Sequence, residues 1–260
     1  MGGIGYELPG NAQPVFAALL AARRERTDRE RPVVTDLCCS YGVNAALMNH
    51  DLGMDDLFEH YADPGLDGCT KEELLAADAQ FFADRRHENR VTAVGVDIAA
   101  NAVSYGVDAG LLDHGAGVNL EEQAPGAALR RAVADTDLVT ITGGVGYITE
   151  KTFDRILSAA ETKPKPWVAA FALRWVDYEP VAEVLAAGGL ATERVEGKLF
   201  RQRRFLDDAE REYALRELRE RGIDPTGVED NGYFYANLFV SRPAEEVRAR
   251  PVAEMLAGAR

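Results

Sequence analysis

The sequence predicts a doubly wound α/β fold, a mostly parallel sheet with an antiparallel final strand and helices on both faces. Three observations carry that expectation. Short apolar runs alternate with longer amphipathic stretches through most of the 260 residues. Two of the runs bring an aspartate, Asp36 and Asp97, to the far end of a strand, and each leads into a helix. The chain then closes with two β-rich runs around one highly charged helical stretch, which fits an antiparallel edge on a parallel sheet.

A Gly/Pro-rich opening precedes a helix expected from Pro14 to Arg26. Pro14 suits a first helical turn, and arginines at the far end complement the helix dipole. The charged stretch from Thr27 to Arg31 leads to the strand Val33 to Leu37, and a helix begins near Asn44. The next strands are Thr92 to Asp97, Ala116 to Leu120, Asp137 to Thr142 and Trp167 to Leu173. Helical stretches lie between and after them, at Asn101 to Asp113, Pro125 to Asp135, Thr149 to Glu161 and Pro180 to Ala187. Thr192 to Leu206 and Tyr233 to Val240 read as late strands, the second after an Asn231-Gly232 turn. The charged helix between them stops at Gly222, and Pro251 interrupts the last helical stretch, predicting a frayed or bent end.

Gly42 and Asp97 are 55 positions apart, whereas a minimal strand–helix–strand unit takes ~30 residues. The surplus predicts an insertion at about 51–90. It holds a helix near Asp55 to Tyr61, a DPGLDG turn and a second helix opened by the capping box Thr70 to Glu73.

Composition excludes more than it identifies. With 29 basic and 43 acidic side chains, the formal charge of −14 disfavours phosphate backbones and anionic lipid, so neither nucleic acid nor membrane is expected as a partner. No apolar run reaches the ~20 residues of a membrane span, and the start lacks a basic-then-apolar leader, so a cytoplasmic location is expected. Three cysteines, Cys38, Cys39 and Cys69, form no disulfide framework, and no His/Cys group has zinc spacing, so no metal is expected.

The chemistry-bearing segments are VVTDLCCSYGVNAAL and TAVGVDIAANAV. In the first, small residues let the backbone approach a ligand where the strand gives way to a helix. In the second, Asp97 ends a strand where a carboxylate accepts the two ribose hydroxyls of an adenosine, or alternatively caps the following helix.

These residues resemble the class I S-adenosylmethionine-dependent methyltransferases, whose first motif runs D-x-G-x-G-x-G. Asp36 takes the acidic place and Gly42 the last glycine, while Cys38 and Ser40 replace the two others and Tyr41 precedes Gly42. The resemblance covers about Val33 to Val240 and implies a Rossmann-like domain over 32–242 that binds S-adenosylmethionine. It implies Asp97 as the ribose-binding acid, Ile98 packing on adenine, and Asn119 and Leu120 reading the adenine edge. Thr142 and Gly143 begin the fourth-strand loop that faces the transferable group, with Tyr147 beyond its glycines. Residues 1–31 are then a helical segment or lid, and 243–260 a tail.

The expected activity is methyl transfer to a small molecule, by a monomer or homodimer. Two alternatives stay open: intramolecular cyclisation of the cofactor to azetidine-2-carboxylate with release of methylthioadenosine, and a non-catalytic module that senses the cofactor. Tyr147 and Arg174 are the candidate catalytic residues. An aromatic face attracts a sulfonium, and Arg174 could hold a substrate carboxylate or pair with Asp177. Tyr41 and Trp175 are further aromatic candidates near the site.

Gly144-x-Gly146-x-x-Thr149 approximates a dinucleotide fingerprint, but the third glycine is missing. His50, His60, His87 and His114 read as surface histidines, the last ending a helix. Cys38 and Cys39 read as small residues that fit a loop, with no base nearby to make either a nucleophile.

Overall fold

The structure, a computed structural model, describes residues 5–27, 29–161 and 165–258. The first four residues of the N-terminal segment and the last two of the tail therefore lie outside the described residues, as do Asp28 and residues 162–164.

Strands β1 (Val33–Leu37), β2 (Thr92–Asp97), β3 (His114–Gly117), β4 (Thr136–Thr142) and β5 (Trp167–Leu173) pair in parallel. Three later strands complete the sheet, β6 (Leu190–Arg194), β7 (Phe200–Arg204) and β8 (Tyr233–Pro243). The order is β3-β2-β1-β4-β5-β8-β6, and β8 runs antiparallel to β5, β6 and β7. The chain thus reverses its direction of travel across the sheet between β1 and β4, which opens a crevice at their carboxyl ends.

Each face of the sheet is covered. On one, α6 (Ala127–Val133), α7 (Glu150–Ala159) and α8 (Glu179–Ala187) bury Leu129, Phe153, Ile156 and Leu185 against β-strand side chains such as Val139 and Val168. On the other lie α1 (Leu8–Arg24), α2 (Val43–Asn49) and α5 (Ala100–Asp108). The insertion packs beyond these last two as α3 (Met54–Tyr61) and α4 (Lys71–Ala83), with Leu57 and Phe82 in a small core shared with Leu47 and Leu111. Thr70 and Glu73 form the expected capping box on α4.

Several boundaries differ from the sequence reading, each for a physical reason. Helix α1 begins at Leu8, so Pro9 occupies the first turn and Pro14 lies inside the helix. The burial of Leu8, Ala12, Val15, Phe16 and Leu19 on the sheet outweighs the hydrogen bond that an internal proline removes. This helix is a core layer. Its Arg23 is buried too, 3.7 Å from Asp137 and over the ring of Trp167.

β3 falls on His114–Gly117 rather than the apolar run from Ala116 to Leu120, so His114 opens a strand and does not end a helix. A Cβ on Gly115 would sit 2.5 Å from Val103, and one on Gly117 would strike Ala100. Helix α5 lies so close that only glycine backbone fits beneath it, and hydrophobic patterning cannot reveal such a strand.

The expected strand from Thr192 to Leu206 divides into β6 and β7 at a turn where Gly197 takes a φ of +74°. The two halves pair with opposite ends of β8, the second around Tyr233–Ala236 at the sheet's carboxyl edge. Helix α9 (Asp208–Glu220) follows β7. The described end of the chain bends at Pro251 between α10 (Ala244–Ala249) and α11 (Val252–Leu256), with Val252 and Met255 buried in the α1 core.

Phe16, almost wholly buried, meets the Phe171 ring edge-on at 5.9 Å. Phe16→Ala is expected to lower stability by about 3–5 kcal/mol, read from the midpoint of urea unfolding at unchanged slope.

Candidate functional site

The loop after β1 lies at the crevice. Cys38 and Ser40 have φ of +55° and +51°, and Gly42 has +90°. Left-handed backbone costs an L-residue roughly 1–2 kcal/mol, so non-glycine residues hold it only where their surroundings enforce it. Here the enforcement is visible. The Cys39 amide donates to the Val96 carbonyl, and the Ser40 amide donates to Asp97 Oδ2 at 2.8 Å. Gly42 caps α2, and a Cβ there would come within 3.2 Å of Leu112.

Asp97 at the end of β2 therefore has two tasks. Its Oδ2 holds the loop, and its Oδ1 accepts the Ala99 amide at 2.8 Å, which turns the chain into α5. Each oxygen keeps lone-pair capacity for a further donor. Beside it Ile98 is 70% exposed, an unusual position for a large apolar side chain. Asn119 uses Oδ1 to accept the Glu121 amide. Leu120 departs from expectation: its side chain is buried in the core and only its backbone faces outward, the carbonyl accepting from Arg155.

Below the loop lies a polar tier. Asp36 is fully buried; its Oδ1 accepts from Asn44 Nδ2 at 2.9 Å and Thr140 Oγ1 at 2.7 Å, while Oδ2 has no partner. Burial pushes this carboxyl up to about 7 against the two hydrogen bonds, and the negative charge of Asp97 adds to the rise. Asn44 also donates to Thr142 Oγ1 at 3.0 Å, and the Tyr6 hydroxyl donates to the Thr142 carbonyl at 3.3 Å. Gly143, at φ +84°, has Gln202 Nε2 where a Cβ would stand. Tyr6 and Gln202 were not legible as site residues. One sits in a Gly/Pro-rich leader and the other in a strand whose boundaries depended on β8.

Cys38 packs its sulfur on Gly144, where a Cβ would come within 2.5 Å. Burial, reinforced by Asp97 and Asp36, pushes the Cys38 thiol up to about 12, and burial raises Cys39 as well. Neither is a thiolate nucleophile near neutral pH.

The glycines after β4 make no phosphate cradle. Glu121 occupies the N-terminus of α7, accepting the Thr149 amide at 2.9 Å, the Thr149 hydroxyl at 2.6 Å and the Thr152 hydroxyl at 2.5 Å. Burial alone would raise the Glu121 carboxyl, but these bonds together hold it below its usual range. A carboxylate already fills the place a pyrophosphate would take.

The two candidate catalytic residues fare differently. Tyr147 lies in a tight turn, its amide donating to the Gly144 carbonyl, and the turn throws its ring outward to 88% exposure. It does not close a pocket. Arg203 lies within electrostatic range of Tyr147 and Tyr6, makes a two-pronged ion pair with Glu210, and stacks over Phe234 at 4.7 Å. Trp175 and Phe205 also meet the Phe234 ring, at 5.5 and 4.5 Å. Tyr41 is half exposed and meets Tyr105 edge-on at 5.8 Å.

Arg174 pairs with buried Glu229 and donates to the Asp224 carbonyl, while Asp177 accepts the Glu179 amide at the start of α8. Of the two alternatives read from sequence, a substrate carboxylate or Asp177, the second is replaced by Glu229, and Arg174 ties down the segment before β8. Two histidines also depart from the surface reading. His50 is buried with Nδ1 on the Ala46 carbonyl, and His60 lies 2.7 Å from buried Asp78.

Ser40→Gly removes the side chain that resists φ of +51° and is expected to raise stability by roughly 0.5–1 kcal/mol in urea unfolding. For Asp36, the folded acid binds its proton up to about pH 7 while the unfolded one releases it near the ordinary 3.8 of an aspartate. The folded chain thus holds more protons between those limits, and this residue's contribution falls as pH rises through them. Asp36→Asn is expected to flatten that part of the stability–pH curve.

No family model matches the chain, and no curated protein sequence matches it. Solved structures similar to it include the YcgJ protein of Bacillus subtilis, at 10% identity and TM-score 0.45, covering 88% of this chain and 98% of that one. A magnesium protoporphyrin IX methyltransferase of Synechocystis is 11% identical at TM-score 0.41, covering 89% and 80%. An O-methyltransferase from a trans-AT PKS multienzyme of Brevibacillus brevis is 11% identical at 0.42, covering 95% and 76%. Likeness this remote says nothing of substrate or reaction. The strand order and the reversed β8 make the doubly wound, Rossmann-like sheet with an antiparallel final strand that the sequence predicted, and the left-handed loop lies at its crevice.

Proposed function

We propose that the chain binds S-adenosylmethionine and transfers its methyl group to a small molecule. The observation that carries this reading is the loop of residues 38–42. Its three motif positions keep left-handed backbone although two of them are not glycine, and Asp97 holds it open at the crevice. A loop that served only as a turn would gain nothing from that strain.

The residues fit the cofactor. Asp97 retains acceptor capacity for ribose hydroxyls, Ile98 offers an exposed apolar face to adenine, and Asn119 with the Leu120 backbone borders the same edge. Cys38, Ser40, Tyr41 and Gly42 border the methionine side with Thr142 and bare Gly143. Bound there, the group supplies a methyl already activated by positive sulfur. The chain's own part is orientation of an acceptor, for which Tyr6 and Tyr147 are the polar side chains beyond β4, while Arg203, paired with Glu210, adds only positive potential near both. Arg174 has no part in this proposal, since Glu229 occupies it.

Titration calorimetry is expected to show binding of S-adenosylmethionine and S-adenosylhomocysteine, with NADH far weaker. Failure of both adenosyl ligands to bind at millimolar concentration sinks the reading. Mass spectrometry of the products separates the chemistries. S-adenosylhomocysteine formed with an acceptor supports methyl transfer, methylthioadenosine formed without one supports cyclisation to azetidine-2-carboxylate, and binding without turnover supports a sensor module.

Asp97→Ala should weaken cofactor binding by about 1.5–3 kcal/mol, the range for losing hydrogen bonds to a charged group. It also releases the Ser40 amide, so a small drop in melting temperature accompanies the loss. Tyr147→Ala is expected to lower turnover at least tenfold, ~1.4 kcal/mol in the barrier, and Tyr147→Phe separates ring from hydroxyl. Turnover unchanged in both would remove Tyr147 from the acceptor side.

A further inference from the structure

The insertion encloses more than a packing layer. Helices α3 and α4 meet α2 and α5 around a cavity of about 790 Å³. Most of its wall is apolar, including Val43, Leu57, Phe58, Leu74 and Phe82. One side is polar and unusually built. Asp78, 0% exposed, accepts the Tyr61 and Tyr105 hydroxyls at 2.8 Å each, and its other oxygen lies 2.7 Å from His60 Nε2. The His60 ring is itself stacked on Phe81 at 3.9 Å.

Neither feature is what a packing layer alone requires. A carboxylate taken out of water costs desolvation even when fully hydrogen-bonded, and apolar side chains around an unfilled volume lose dispersion contacts. An insertion needed only to cover α2 and α5 would do so better with leucine at both places. The volume falls within the ~300–1,000 Å³ of small-molecule sites, which combine apolar walls with a few convergent polar groups.

The polar side also states what it would accept. Both phenols give their protons to Asp78, so what remains on each is an oxygen lone pair. Burial, then Asp78 itself, raises both hydroxyls above their ordinary range, so the protons stay. A ligand meeting this side must bring the donor. Lys71 and Asn101, both exposed, stand at the open side, and Tyr41 borders the cavity from the loop after β1.

We propose that this cavity binds a ring-containing, largely apolar small molecule bearing one hydrogen-bond donor, its rings against Leu57, Phe58 and Phe82 and its donor on the oxygens of Tyr61 and Tyr105. The site borders Tyr41, which the cofactor reading also uses, but it needs neither Asp97 nor Ile98 and does not rest on that reading.

The test titrates the full chain with 2-naphthol, and with naphthalene as the analogue without a donor, followed by fluorescence and saturation-transfer NMR. The parent is expected to bind 2-naphthol saturably, one to one. Leu74→Trp fills the cavity and should weaken binding at least tenfold with circular dichroism unchanged. Should that variant fail to fold, Ala62→Phe at the exposed rim is read in its place. Tyr61→Phe with Tyr105→Phe should weaken 2-naphthol at least threefold and leave naphthalene as before. No saturable binding by the parent, parent-like binding by the filled variant, or equal loss of both probes overturns the proposal. The filled variant should bind S-adenosylmethionine as the parent does, and a parent that binds 2-naphthol but not S-adenosylmethionine fails the proposed function alone.

Discussion

The hydrogen bond from the Ser40 amide to Asp97 is the contact on which the crevice depends. It joins the loop after β1 to the end of β2, and it does so across residues held in backbone that cysteine and serine avoid. Remove the acceptor and the loop has every steric reason to relax toward φ below zero. With it, the loop stands at the one place in a doubly wound sheet where neighbouring connections leave in opposite directions. The same carboxylate also turns the chain into α5, whose closeness makes β3 a strand of glycines.

Beneath that contact the sheet carries polar groups where a parallel core ordinarily carries hydrocarbon. Asp36, Thr140, Asn44 and Thr142 form a connected tier between β1, β4 and α2, and Tyr6 extends it to the N-terminal segment. The segment before α1 and strand β7 both reach the carboxyl edge of β4 here, Tyr6 through its hydrogen bond to the Thr142 carbonyl and Gln202 by lying where a Gly143 Cβ would stand. The tier's cost is the buried, half-satisfied Asp36 carboxyl, which stays protonated well above the ordinary carboxylate range. A core built for stability alone would not include polar groups so placed.

Charge is handled differently at the margins. Glu121 fills the N-terminus of α7, Arg174 is matched by Glu229, and Arg203 by Glu210. The first two stand where the sequence left a ligand open, at the glycine loop before Thr149 and at Arg174. The insertion reverses the pattern, because its buried Asp78 is held by the hydroxyls of Tyr61 and Tyr105, two residues that line the cavity.

By itself the sequence determined the sheet's parallel core, the reversed late strand, the insertion with its capped helix, and the order of the acid–loop–acid motif. These are local patterns: alternation of apolar runs, a Thr70–Glu73 box, an Asn231-Gly232 turn. It also carried the register of the first motif, since Cys38, Ser40 and Gly42 are the residues found in left-handed backbone. Tertiary structure alone decided the rest. Whether Arg174 met a substrate, Asp177 or Glu229 depended on where a segment 55 residues away would pack. Tyr147 looked outward because of a turn, Leu120 inward because of the helices over it, and β3 shifted because α5 came close. Side-chain partners, and the space between packed layers, are set by contacts distant in sequence, and no local pattern encodes them.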